Sequence, residues 1–136
     1  MFEISKDFEF SAAHQIPGHP KCGRMHGHNY KVTVVIWTDE LTEGMVIDYA
    51  LLKELVKPII DEMDHKYLCG TENQSYTSLS ESIQLPIPIT TGELLAKYIH
   101  NRLYDQMPSG LHIGCIKVCE TPNTSATYYP DSEEEE

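Results

Sequence analysis

Long apolar runs are missing from this 136-residue chain. No stretch approaches the ~18 consecutive apolar residues that a membrane helix requires, which excludes a helical membrane span. The stretch Met1-Phe2-Glu3-Ile4-Ser5-Lys6 lacks a basic segment followed by an apolar one. No signal peptide is therefore expected, and the expected location is cytoplasmic. Cations are scarce, with 10 Lys and Arg against 21 Asp and Glu, for a formal net charge of −11. With no basic patch to offset phosphate repulsion, nucleic acid is excluded as a partner. The four cysteines, Cys22, Cys69, Cys115 and Cys119, have no framework spacing and are expected to be reduced thiols. Cys115 and Cys119 fall on one face of a predicted strand and are expected to pack as small apolar residues.

What is present suffices for one globular domain over residues 1–130, since 40% of the chain is hydrophobic and can supply a core. The end, Asp131-Ser132-Glu133-Glu134-Glu135-Glu136, carries five negatives, leaving −6 for the rest once they are removed from −11. That run over 131–136 reads as a solvated, disordered acidic tail. An anionic small substrate is still compatible with the charge, provided a few cations focus the local field. Lys21, Arg24 and Lys31 stand together in sequence and can do so.

The pattern around those cations organises the chain. Cys22-Gly23-Arg24-Met25-His26-Gly27-His28 runs into Tyr30-Lys31-Val32-Thr33-Val34-Val35-Ile36-Trp37, a β-branched strand signature. Side chains alternate along a strand, so His26 and His28 share a face and their imidazoles can converge on one metal ion. His14 closes an earlier alternating stretch, Phe8-Glu9-Phe10-Ser11-Ala12-Ala13-His14, and a third ligand can arrive from an adjacent antiparallel strand. Zinc favours such donors. Cys22 is four residues before His26 and leaves two readings open: a fourth ligand of a structural zinc, or a free thiol beside an open one. The plain alternative, an exposed polar strand face, is weakened by the third histidine and the nearby thiol.

Hydrophobic periodicity gives the order ββααββ. Residues 2–14 and 27–38 read as antiparallel strands, and 50–62 as a helix capped by Asp48 with Pro58 kinking it or shifting its start. Residues 70–90 read as a long excursion without a period, and Thr91-Gly92-Glu93 opens a second helix to about 107. Strands over 111–120 and 126–129 follow, joined by Thr121-Pro122-Asn123-Thr124. The expected fold class is α+β: a four-stranded antiparallel sheet with both helices on one face. Such a sheet has two open edges, which partner subunits would close.

Phe10-Ser11-Ala12-Ala13-His14, Cys22-x3-His26-Gly27-His28, Asp64-His65 and Glu120-Thr121 together resemble the 6-pyruvoyltetrahydropterin synthase family. The resemblance covers nearly all of the chain except the tail. The three residues between cysteine and His-Gly-His match its bacterial 6-carboxytetrahydropterin synthase branch, of queuosine precursor synthesis. The resemblance implies the tunnelling fold, with subunits assembling into a barrel and a homo-hexamer built as a dimer of trimers. It implies a zinc ion (Zn2+) on His14, His26 and His28, and a 7,8-dihydroneopterin triphosphate substrate. It further implies Cys22 as catalytic base, Asp64 and His65 as an acid–base pair, and Glu120 as the pterin anchor. Arg24 and Lys31 are the candidate substrate-binding cations. A binding module merely stabilised by zinc is the competing class. His19, His100 and His112 have no matching role and are expected to face solvent. Two departures from the family pattern, Cys69 and Thr91-Gly92-Glu93-Leu94, fall on the expected pocket wall.

Overall fold

The computed structural model describes residues 1–73 and 78–131. Two long strands, β1 (Phe2–His14) and β2 (His26–Thr38), pair antiparallel along their whole length, from Phe2 opposite Thr38 to His14 opposite His26. The remaining elements are α1 (Tyr49–Met63), β3 (Lys66–Cys69), β4 (Ser82–Gln84), α2 (Gly92–Tyr104), β5 (His112–Thr121) and β6 (Thr124–Tyr128). The sheet order is β4-β3-β1-β2-β5-β6.

Alternation decides which face is buried. Phe8, Phe10, Ala12 and His14 on β1 turn inward, as do Tyr30, Val32, Val34 and Ile36 on β2. Against that face pack Leu52, Val56, Ile59, Ile60 and Met63 of α1 and Leu95, Ala96, Ile99 and Leu103 of α2, forming one core. Each fully buried aliphatic side chain contributes about 1.5–3 kcal/mol relative to exposure. Asp48 caps α1 through the Ala50 amide at 2.7 Å, and Thr91 caps α2 through the Leu94 amide at 3.3 Å. Helix α1 continues through Pro58, which is exposed. The Glu54 carbonyl that loses its partner there belongs to an exposed residue and is open to water.

The expected four-stranded antiparallel sheet is corrected to a six-stranded mixed one. β3 runs parallel to β1, and β4 parallel to β3. Both added strands lie at or beyond the end of α1, and they have four and three residues. Segments so short complete no legible period. The excursion over 70–90 therefore contains one strand, and Gln74 to Thr77 within it fall outside the described residues. Helix α2 ends at Tyr104, short of the expected 107.

Three side-chain expectations also change. His100 is buried, with its ring against Tyr104 and Tyr128, because β6 starts at Thr124 and reaches over that flank of α2. His112 is half-buried and stacks on Trp37 at 4.2 Å. Cys115 and Cys119 are half-buried on the face of β5 opposite to Ile113, Ile116 and Val118, not in the core. Of the tail read over 131–136, only Asp131 is described, and the rest of that expectation lies outside the described residues. Among the described residues no helix is long and apolar enough to cross a membrane.

Candidate metal centre and its surroundings

The end of the β1–β2 hairpin next to its connection brings three imidazoles together. His14 faces His26 directly across the ladder, and His28 is the next inward residue of β2, opposite Ala12. Ring centroids are 4.6 Å apart for His14 and His26, 5.1 Å for His14 and His28, and 4.9 Å for His26 and His28. One ligating atom from each lies within 4.8 Å of the other two. Cys22 does not belong to that group.

Second contacts fix which nitrogen faces inward. His14 Nδ1 lies 2.8 Å from the Thr90 carbonyl oxygen, and His26 Nδ1 lies 2.7 Å from that of Arg24. A carbonyl only accepts, so each Nδ1 carries the proton and each Nε2 keeps a lone pair. His14 Nε2 and His28 Nε2 are buried and make no hydrogen bond. Each such nitrogen costs about 1–3 kcal/mol unless something satisfies it. A metal ion is what this donor set fits: three imidazoles with one ligating atom each in mutual reach, and the Nδ1 protons of His14 and His26 held by carbonyls on the far side. Burial is the first cause that lowers the His14 pKa to about 4, aided by His26 and His28 and opposed by the Thr90 carbonyl. Burial also lowers that of His28, and Glu120 opposes it. Both rings are thus kept in the neutral form that ligation requires.

Glu120, near the end of β5, extends beside the triad. Its Oε2 is 3.3 Å from His28 Nε2, without hydrogen-bond alignment. Tyr30 continues the inward parity of β2, wholly buried, with its ring 5.3 Å from His28 and its hydroxyl unpartnered. Burial first, then the Glu120 charge, raises the Tyr30 pKa far above its ordinary value, so the phenol stays protonated.

Asp64 and His65 form a second unit at the end of α1, pinned to β1 by one residue. The Ser11 amide donates to Asp64 Oδ1 at 2.9 Å, and the His65 amide donates to the Ser11 carbonyl at 2.6 Å. His65 takes a φ of 60°, sparsely populated for a side-chain-bearing residue, and its Nδ1 lies 2.9 Å from Asp64 Oδ1. The Ser11 amide, and after it the His65 ring, hold the Asp64 carboxyl below its usual range. The His65 side chain is 81% exposed. A cleft of about 490 Å³ is bordered by both His28 and His65, together with Asn29, Lys66, Tyr67 and Glu81.

Cys22 is a half-buried free thiol in the connection between β1 and β2. His19, exposed as expected, anchors that connection: its Nδ1 accepts from the Cys22 amide at 2.8 Å. Gln15 Nε2 donates to the Gly23 carbonyl, and the Ile16 amide to that of Cys22 at 2.7 Å. Arg24 is exposed in the same connection. Lys31 occupies the outward parity of β2 and lies 3.9 Å from Asp7, so it is on the other side of the sheet from the triad. Within the chain, Cys22 borders neither the dyad nor the cleft among the described contacts.

Three contributors were not foreseen from the sequence: Thr90, Ser11 and Tyr30. Tyr30 had a signal, since it follows His28 at strand spacing. Thr90 and Ser11 act through backbone groups, which residue identity does not reveal.

The chain matches the 6-pyruvoyl tetrahydropterin synthase family over residues 3–131. A Haemophilus influenzae protein named 6-carboxy-5,6,7,8-tetrahydropterin synthase is 38% identical, covering 94% of this chain and 99% of its own. A Synechocystis protein of the same name is 35% identical, covering 95% and 94%. A solved 6-pyruvoyl tetrahydropterin synthase from Plasmodium vivax superposes with a TM-score of 0.79 at 22% identity, covering 96% of this chain and 98% of that one. At that identity the superposition bears on fold alone, and it agrees with the two helices and curled mixed sheet. With the family matched across nearly the whole length and two relatives above 30% identity, the chain belongs to the 6-pyruvoyl tetrahydropterin synthase family of enzymes.

Proposed function

We propose that the protein is a zinc-dependent lyase that converts 7,8-dihydroneopterin triphosphate to 6-carboxy-5,6,7,8-tetrahydropterin. One water is taken up, and acetaldehyde and triphosphate are released, in the supply of a 7-deazaguanine (queuosine) precursor. The observation that carries the reading is the convergence of three imidazoles, two of which, His14 and His28, have buried, unpartnered Nε2 atoms. Relatives named for this reaction add weight to it.

His14, His26 and His28 would hold the zinc. Bound there, the ion supplies Lewis acidity toward the hydroxyls of the substrate side chain. Glu120 accepts hydrogen bonds from the amino-pyrimidinone edge of the pterin through both carboxylate oxygens. Cys22 removes a proton from the side chain as base. His65 shuttles protons, held in orientation by Asp64. Arg24, exposed in the connection whose carbonyl holds His26, is the candidate cation for the triphosphate, whereas Lys31, on the outward face beside Asp7, is the weaker candidate.

The family resemblance favours a site shared between subunits, with Cys22 of one chain facing Asp64 and His65 of a neighbour. The homo-hexamer, a dimer of trimers closed into a barrel, supplies that arrangement and covers the edges at β4 and β6. The pyruvoyl synthase reaction, elimination of triphosphate without carbon–carbon cleavage, is the alternative within the family. The three-residue spacing between Cys22 and His26 argues for the carboxy product. Mass spectrometry of products from dihydroneopterin triphosphate and zinc-loaded protein tests the proposal. Acetaldehyde with the carboxypterin is expected, and a pyruvoyl product or no turnover would refute it.

A further inference from the structure

Glycine at position 92 has no backbone reason to be there. It is the first residue of α2, its φ is not in the left-handed region, and glycine is the poorest helix former after proline. Thr91 already caps the helix. A Cβ built on Gly92 would lie 3.5 Å from Ala126 Cβ, an ordinary contact. The crowding comes from one atom: that Cβ would stand 3.2 Å from Glu120 Oε1. The carboxylate therefore occupies the room a side chain would take, with its other oxygen 3.3 Å from His28 Nε2.

We propose that Gly92 is a positioning residue for Glu120, its missing side chain being what lets the carboxylate stand beside His28. The inference rests on the pterin-lyase reading, in which Glu120 anchors the substrate. The stretch 90–92 serves two members of the site at once, since the Thr90 carbonyl orients His14 while Gly92 makes space for Glu120. With the acceptor set from behind, the pterin edge meets a carboxylate whose two oxygens are already placed.

The test is fluorescence titration of zinc-loaded protein with neopterin as probe, for wild type, Gly92→Ala, Glu120→Ala and the double variant. Zinc content and Tm are recorded on the same preparations. Gly92→Ala should weaken neopterin binding roughly three- to tenfold, since a ~1 Å misplacement costs on the order of a hundredfold. Its zinc content should be unchanged and its Tm equal or higher, because alanine suits a helix better. In the Glu120→Ala background the same change should have no effect on binding. Equal affinity in Gly92→Ala and wild type would overturn the inference alone, as would the same loss with Glu120 absent. Failure of wild type to bind neopterin would overturn the functional reading, and the inference with it.

Discussion

Replacing His28 by leucine should leave the metal-free protein at least as stable as wild type while abolishing most of its response to zinc. The sign follows from the surroundings of Nε2, which is buried without a hydrogen bond. Burial keeps the ring neutral at pH 7.5, so an ion pair with Glu120 does not offset the desolvation. An apolar side chain of similar size removes that unsatisfied nitrogen, worth about 1–3 kcal/mol. At ~2.1 cal/mol/K of unfolding entropy per residue, a chain of 136 residues shifts by roughly 3–4 °C per kcal/mol. In EDTA the variant should therefore melt between the wild-type temperature and roughly 10 °C above it. With free zinc a thousandfold above its dissociation constant, wild type gains about 4 kcal/mol, or roughly 14 °C. The variant, left with His14 and His26, should gain little. Scanning calorimetry in EDTA and in zinc, with elemental analysis, measures all four values. A fall of more than ~7 °C in EDTA would show that the imidazole supports the fold by itself. An equal zinc response in both proteins would refute the triad.

Converting Cys22 to Ala should keep near-normal zinc, since its Sγ stands outside the ligating group, yet reduce turnover by ~10² to 10⁴; lost metal would mark a ligand instead. Mixing inactive Cys22→Ala with inactive His65→Ala protein, after dissociation and reassociation, should restore part of the activity, and no recovery in verified mixed oligomers would place the whole site in one chain. The Asp64 carboxyl titrates lower in the folded chain than its ordinary value of ~4, so the unfolded chain binds more protons in acid. Its stabilising effect is complete above pH ~4 and is lost as pH falls through the lower folded value, and Asp64→Asn should flatten that part of the acid-stability curve; an unchanged curve would refute the role of the Ser11 amide.

The long elements were legible because they carry full periods. Thirteen residues of alternation in each of β1 and β2 fix both the strand and its inward face, and with it the side of the sheet on which the histidines meet. The caps at Asp48 and Thr91 were legible because a capping side chain acts on its own neighbours. β3 and β4 were not, since they exist through pairing with β1 and with one another across a connection of irregular composition. His100 failed for a related reason: its helical stripe is widened by Tyr128, a strand residue distant in sequence.

At the site the division is between side-chain identity and backbone placement. The triad could be written down from spacing because metal chemistry selects residue types. The groups that orient it could not: the Thr90 and Arg24 carbonyls behind His14 and His26 are atoms that every residue owns. The same holds for the Ser11 amide and carbonyl, which hold Asp64 and His65 to β1 three residues before His14. One strand thus carries a member of the histidine triad and the anchor of Asp64 and His65, on opposite parities. A shift of β1 by a single residue would turn His14 outward and release Ser11 from the dyad together. The continuous β1–β2 ladder, running the full length of both strands to end at His14 and His26, opposes that shift with every inward side chain of the core.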